Sequence, residues 1–279
     1  MNATAAGKSA IDRSAAWRVS PHRRSWMRFC ANRRGYYSLW IFAVLFVISL
    51  GAEFLSNDRP IAVQYQGEYF FPLFVAYPET TFGGDFETEA DYTDPYVREL
   101  LSRDGNWALY PPNPYSYNTI NYYTDHPNPA PPSADNLLGT DDRGRDVLAR
   151  LIYGFRLSVL FAFALTAVGV VLGVVAGAVQ GYFGGRLDLF AQRLIEIWSS
   201  MPELYLLIIF ASLFNPSILL LLVLLSLFGW MGLADYVRAE FLRGRNMDYV
   251  KAARAMGLSN RRIMFRHLLP NSLTPVITF

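Results

Sequence analysis

The sequence predicts an all-α, polytopic membrane protein, and three observations carry that prediction. Residues 157–180 form a run of 24 without one charged side chain, and residues 215–234 form a second run of 20. At about 1.5 Å per helical residue, either run covers the roughly 30 Å hydrocarbon core of a bilayer. Charge is also segregated along the chain. Residues 1–35 carry eight basic side chains against Asp12 alone, whereas residues 56–150 carry fifteen acids against six arginines, a net −9. Basic flanks stay on the cytoplasmic side, which puts the N-terminus inside and the acidic segment outside. Buried helices of a large soluble protein are the competing explanation, and two such uncharged runs disfavour it.

The elements follow in chain order. Residues 1–35 read as a basic cytoplasmic tail. Residues 36–55 form the first span, interrupted only by Glu53 near its end. The apolar run starts too late and lacks a small-residue cleavage site, so it reads as a retained helix rather than a cleaved signal. The single cysteine, Cys30, excludes an internal disulfide. Residues 56–150 form a periplasmic segment rich in Tyr, Phe, Pro and Asp. Its Pro-rich stretches at 110–118 and 127–132 favour extended and turn conformations. Its many aromatics argue for a small packed layer on the membrane surface rather than disorder. The second span covers about 153–180. Gly169, Gly173, Gly177 and Gly181 recur every four residues and form a ridge that lets another membrane helix approach closely. Gly181 to Arg186 then reads as a tight cytoplasmic turn.

The apolar stretch 204–214 is too short to cross and reaches spanning length only when extended back to about Leu189, taking in Arg193, Glu196 and Glu203. The fourth span is about 216–236. Residues 237–269 carry eight basic side chains against Glu240 and Asp248, and so belong on the N-terminal side of the membrane. That demands an even number of intervening spans, which the third span supplies. A further apolar segment opens after Pro270 and runs nine residues to Phe279, too few to cross.

Catalytic patterns are missing. The histidines His22, His126 and His267 follow no metal-ligand spacing, and Gly7-Lys8-Ser9 lacks the leading glycine and preceding strand of a phosphate-binding loop. No metal, cofactor or nucleic acid is expected, and any energy source has to be a partner. The informative stretch is 248–271. Tyr249 to Met256 reads as a short Ala-rich helix, and Gly257 is suited to end it in the left-handed conformation. Ser259 or Asn260 could cap a second helix running to Leu269, with Pro270 as the next boundary.

This stretch resembles the EAA loop of ABC-importer permeases, which reads Glu-Ala-Ala, three residues, Gly, then Ile and Leu-Pro. Ala252, Ala253, Gly257, Ile263, Leu269 and Pro270 match it. Lys251 stands at the glutamate position, a reversal of charge, so no ion pair is carried over there. A second match runs from Leu138 to Gly154, where Gly-Thr-Asp, two residues, then Gly-Arg-Asp resembles the signature of dipeptide and oligopeptide permeases of the C type. A helix cap with a salt-bridge cluster is the favoured reading of that signature over substrate contact. The stretches 110–121 and 238–243 resemble the permeases of Yej-type peptide importers, which also take up microcin C.

The resemblance implies the helical bundle of an inner-membrane permease with six spans, of which the last two lie outside residues 1–279. A polypeptide lacking them is expected not to transport. The implied function is ATP-driven import of oligopeptides, including microcin C-like ones. The implied partners are the lipid bilayer, a second permease subunit, two ABC ATPase subunits and a periplasmic peptide-binding protein. ATP hydrolysis would fall to the ATPases. Tyr249, Ala252, Ala253, Gly257, Leu258 and Ser259 would couple this chain to them. Glu196 and Glu203, seven apart, would share a face of a continuous helix and line the peptide pathway. Against that, they could lie at the interface or pair with Arg193 or Arg186, and Pro202 could break the helix. Two other functions compete with the importer. An ion-coupled secondary transporter requires ionisable relays across several spans, and only the third has any. A membrane-anchored sensor or cell-envelope protein leaves the 248–271 stretch unexplained.

Overall fold

The computed structural model describes residues 21–103, 105–124 and 126–272. The first twenty residues of the basic tail, with Gly7-Lys8-Ser9, and residues 273–279 of the last apolar segment lie outside the described residues. The chain divides into two compact units, Met1–Leu157 and Ser158–Phe279.

In the first unit, α1 (Pro21–Ala31) and α2 (Arg33–Leu50) are separated by Asn32, whose side chain accepts from the Gly35 amide at 3.4 Å. Helix therefore covers most of 21–35, and the spanning helix starts three residues before the expected Tyr36. Most α2 side chains, among them Tyr37, Ile41 and Val47, are exposed within the chain. Such a helix has lipid as its solvent, and its intra-helical hydrogen bonds satisfy the backbone without neighbours. A single turn, α3 (Ala52–Leu55), follows.

Residues 56–146 pack about an aromatic core. Strands β1 (Ala62–Tyr65), β2 (Glu68–Phe70) and β3 (Trp107–Leu109) form an antiparallel sheet in the order β2-β1-β3. Gln66 and Gly67 both take positive φ, 51° and 87°, the geometry a two-residue hairpin turn requires. The fully buried Phe82 is met edge-on by Tyr65, Phe70, Tyr77 and Tyr92 at centroid distances of 5.4–6.2 Å, an arrangement that ring quadrupoles favour. Turns and extended chain were expected here without a sheet; strands of three or four residues are too short for their alternation to show. Helix α4 (Pro95–Leu100) is N-capped by Asp94, which accepts from the Tyr96 amide at 2.8 Å.

This segment closes on the start of α5 (Val147–Phe183) through buried amides. Asp146 is fully buried; its Oδ1 accepts from Asn113 Nδ2 at 2.8 Å and from the Ala149 amide at 2.7 Å, which caps α5. Its Oδ2 accepts from Asn136 Nδ2 at 2.9 Å, and Asn136 Oδ1 in turn accepts from Asn121 Nδ2 at 2.8 Å. Two longer-range bonds staple the same region: Tyr153 donates to the Ser56 carbonyl at 2.9 Å, and Arg156 pairs with Glu53 at 2.8 Å. Helix α5 has 37 residues, about 55 Å at the helical rise, and so extends well past any bilayer core.

In the second unit, Gly184 and Gly185, at φ 62° and 59°, turn the chain from α5 into α6 (Gly185–Ser199). The expected six-residue turn is therefore shorter, and its outer residues are helical. The expected continuous third span is broken: α6 and α7 (Glu203–Leu213) are bent by 67° at the intervening Ser200–Pro202. Proline lacks the amide a helix needs and disfavours helical backbone in Met201 before it. Helix α8 (Ile218–Ser226), capped by Ser217, and α9 (Met231–Gly244) together hold the fourth apolar stretch, and helix continues past its expected end near 236 to Gly244.

The glycine ridge of α5 lies on α9. A Cβ at Gly177 would overlap the Ala234 carbonyl and stand 2.8 Å from Val237 Cβ; one at Gly181 would stand 2.5 Å from the Arg238 carbonyl oxygen. At Gly173 the nearest atoms would be 3.0 Å away, and at Gly169 3.9 Å, an ordinary contact. The helices therefore converge from Gly169 toward Gly181.

Candidate functional site

The strongest concentration of unusual local structure follows α9. Helix α10 (Asp248–Ala255) ends in a double closure: the Gly257 amide donates to the Arg254 carbonyl at 2.9 Å and the Leu258 amide to the Ala253 carbonyl at 3.2 Å. Gly257 sits at φ 76°, the left-handed position of this C-terminal motif. The chain then enters α11 (Asn260–Arg262), which continues as a wide π-helical turn, Ile263–Leu268. Helix persists to Ser272, so Pro270 is not the boundary expected. The wide turn directly precedes it and relaxes the carbonyl that a proline ring would crowd in a regular helix. Asn271 Nδ2 takes up the His267 carbonyl at 3.0 Å. Ser259 occupies the N-cap position, yet neither its side chain nor that of Asn260 caps the helix: Asn260 Oδ1 accepts from the Tyr182 hydroxyl at 2.7 Å instead.

The loop has two faces. Val250, Ala253, Ile263, Met264 and Leu268 are buried in one cluster with Tyr182, Val237 and Phe241, and Leu258 packs against it. Tyr249, Ala252, Gly257 and Ser259 are exposed, as is Met256 at 73%. The six residues assigned to coupling therefore divide. Four are free to meet a partner, whereas Ala253 and Leu258 face inward and set the loop's shape. Lys251, at the motif's glutamate position, is exposed and reaches Asp248 at 3.3 Å.

The base of the loop is fixed by charge. Arg238 of α9 makes a two-pronged pair with Asp188 of α6, at 2.5 and 2.9 Å, and Asp188 is buried. A planar guanidinium matches a carboxylate in this way and adds orientation to attraction. Sequence reasoning missed this pair because its members are 50 residues apart; the surviving signal was an acid in the first turn of α6 and an arginine midway along α9.

The two carboxylates assigned to a pathway are not brought together. Glu196 pairs with Arg193 at 2.5 Å, one of the alternatives weighed, and the 67° break at Pro202 removes the continuous helix on which Glu203 would share its face.

The Gly-Thr-Asp stretch forms a cap and a charge cluster. The Asp141 carboxylate accepts from the amides of Arg143 and Arg145, each at 2.9 Å, from Arg145 Nε at 2.8 Å and from Arg150. Thr140 Oγ1 donates to Asn128 Oδ1 at 2.7 Å. Gly139 and Gly144 both need positive φ, and a Cβ on Gly139 would overlap the Ala130 carbonyl. Partial burial opposes charging Asp141, but the Arg145 side chain and the two amides outweigh it and hold the carboxyl well below its ordinary range. The folded state therefore binds this proton less readily than the unfolded one. The resulting stability is full above about pH 4 and is lost as pH falls through the lowered value. Asp141→Asn is expected to cost on the order of 1 kcal/mol at pH 7, with its thermal midpoint converging on that of the parent below about pH 3. Parallel pH profiles for the two proteins would refute the assignment.

Comparison with known proteins agrees with this architecture. Residues 149–279 match the family described as the binding-protein-dependent transport system inner membrane component, and residues 20–81 match the N-terminal TM domain of oligopeptide transport permease C. The chain is 51% identical over 263 residues to the inner membrane ABC transporter permease protein YejE of Escherichia coli, covering 94% of this chain and 77% of that one. It is 47% identical to the peptidoglycan transport system permease protein YejE of Agrobacterium fabrum, with 94% and 75% covered. It is 38% identical to the dipeptide transport system permease protein DppC of Bacillus subtilis, with 53% and 46% covered. The apolar helices, the 248–268 loop and these matches together make the chain a multi-pass membrane permease subunit of the ABC transporter family, of the oligopeptide permease C kind.

Proposed function

We propose that this subunit carries oligopeptides, including microcin C-like ones, inward across the bacterial inner membrane and draws its energy from separate ATPase subunits gripping the 237–269 loop. The observation that carries the reading is the loop's division into a packed inner face and an exposed outer face of Tyr249, Ala252, Met256, Gly257 and Ser259. A lever must be rigid where it meets its own protein and accessible where it is driven. The names of relatives, which specify dipeptide and peptidoglycan transport, support a peptide-bearing solute. The N-terminus and this loop are cytoplasmic in the proposal, the packed segment 56–146 is periplasmic, and a second permease subunit completes the pathway. A periplasmic binding protein delivers the solute. Of the two intramembrane carboxylates, Glu203 beside the helix break is placed on the solute path, because such groups face a bundle interior or water; Glu196 is held by Arg193.

The reading is tested by Met256→Cys, which alters a 73% exposed side chain outside the packed face. In membranes containing the assembled importer, a thiol-reactive crosslinker at this position is expected to capture a nucleotide-hydrolysing subunit. Labelling of that cysteine by a membrane-impermeant reagent applied to intact cells would refute it.

A further inference from the structure

Tyr182, in the last turn of α5, is 3% exposed and holds both arms of the 248–268 loop. Its hydroxyl donates to Asn260 Oδ1 at 2.7 Å, and the Arg254 guanidinium stands over its ring at 4.9 Å. Arg254 belongs to α10, before the Gly257 turn, and Asn260 opens α11 after it. The Tyr182 carbonyl accepts from Arg245, just beyond α9, at 3.4 Å, and its ring is in the same buried cluster as Val250, Ala253, Ile263 and Met264. The neighbouring Gly181 is clamped against the Arg238 backbone. The arms on either side of a left-handed turn thus converge on one side chain. Tilting the loop relative to α5 has to break a part-buried hydrogen bond and a cation–π contact, or else carry the end of α5 with it.

We propose that Tyr182 is the positioning residue through which displacement of the loop is passed to the second span, so that motion imposed by an ATPase is not dissipated within the loop. This rests on the coupling role proposed above. Tyrosine is suited to the place because one residue supplies two different attachments: a π face for a cation and a hydroxyl for an amide oxygen. Phenylalanine keeps the first and loses the second.

The test uses the complete importer reconstituted in proteoliposomes, with solute uptake and ATP hydrolysis measured in the same vesicles. Tyr182→Phe and Asn260→Ala are each expected to lower solute carried per ATP by about threefold to tenfold, as suits the loss of one part-buried hydrogen bond. The double variant should be no worse than either, since both changes remove the same bond. Asn260→Asp keeps an acceptor for the hydroxyl and is expected to retain the parent ratio. Tyr182→Leu, which removes both attachments, should lose more. Assembly and the Met256→Cys crosslink should be unchanged in Tyr182→Phe. An unchanged uptake-to-hydrolysis ratio in Tyr182→Phe and Asn260→Ala, with that crosslink intact, overturns this proposal alone. So does a loss explained entirely by reduced assembly. Absence of the crosslink in the protein with Tyr182 intact overturns the coupling role, and this proposal with it.

Discussion

Gly177→Ala is expected to destabilise the purified permease by about 2–3 kcal/mol, and Gly177→Leu to prevent its assembly in the membrane, whereas Gly169→Ala should be close to neutral. The contrast follows from the convergence of α5 and α9. At Gly177 the added carbon would overlap a backbone carbonyl and crowd Val237, which is fully buried. Neither neighbour is the free end of a flexible side chain, so the helices themselves must separate. In a bilayer there is no hydrophobic gain from bringing helices together; close van der Waals contact is the main return, and separation forfeits it. At Gly169 the same carbon would be 3.9 Å from its nearest neighbour and would add contact. Thermal midpoints of the two alanine variants in one detergent, with the membrane yield of Gly177→Leu, would check the order, and equal effects at the two positions would refute the ridge.

Asp146→Asn is expected to cost about 3 kcal/mol, despite being almost isosteric. The carboxylate accepts three hydrogen bonds: Asn113 and the Ala149 amide at one oxygen, Asn136 at the other. An asparagine turns one of those oxygens into a donor and sets it against another donor. Asn136 cannot rotate its amide to compensate, because its oxygen already serves Asn121. Each buried polar group left unmatched costs about 1–3 kcal/mol. The same logic names a rescue. Asn136→Asp in the Asp146→Asn background moves the carboxylate one step along the chain, where it accepts from residue 146 and from Asn121. Limited proteolysis of the 56–146 segment in the detergent-solubilised permease should show increased cleavage in the single variant and protection in the double. Failure of the second change to restore protection would refute the donor–acceptor assignment.

What could be read from the sequence was what local spacing encodes. The uncharged runs, the four-residue glycine interval and the glycine that ends α10 are properties of consecutive residues, and each has a counterpart in the fold. The family resemblance was equally accessible, because its motifs are contiguous. What escaped were pairings between distant positions. Nothing near Tyr182 announces Asn260, and nothing near Asp188 announces Arg238. Pro202 and Pro270 show the same limit: both are helix breakers by composition, but the chain bends sharply at the first and stays helical through the second. The difference lies in the wide turn that precedes Pro270, which no periodicity signals. The division of the coupling residues had the same origin, since Ala252 and Ala253 are interchangeable in a motif and opposite in the fold.

The bonds from Tyr153 to Ser56 and from Arg156 to Glu53 close gaps of 97 and 103 residues, and this bears on how the protein is made. At about 5–20 residues per second, the ribosome takes on the order of 5–20 s to deliver the second member of each pair after the first. Throughout that interval the intervening aromatic stretch lacks the contacts that finish it. Its maturation is thus timed by arrival of the next membrane helix, and the exposed rings are open to chaperones or proteases until then.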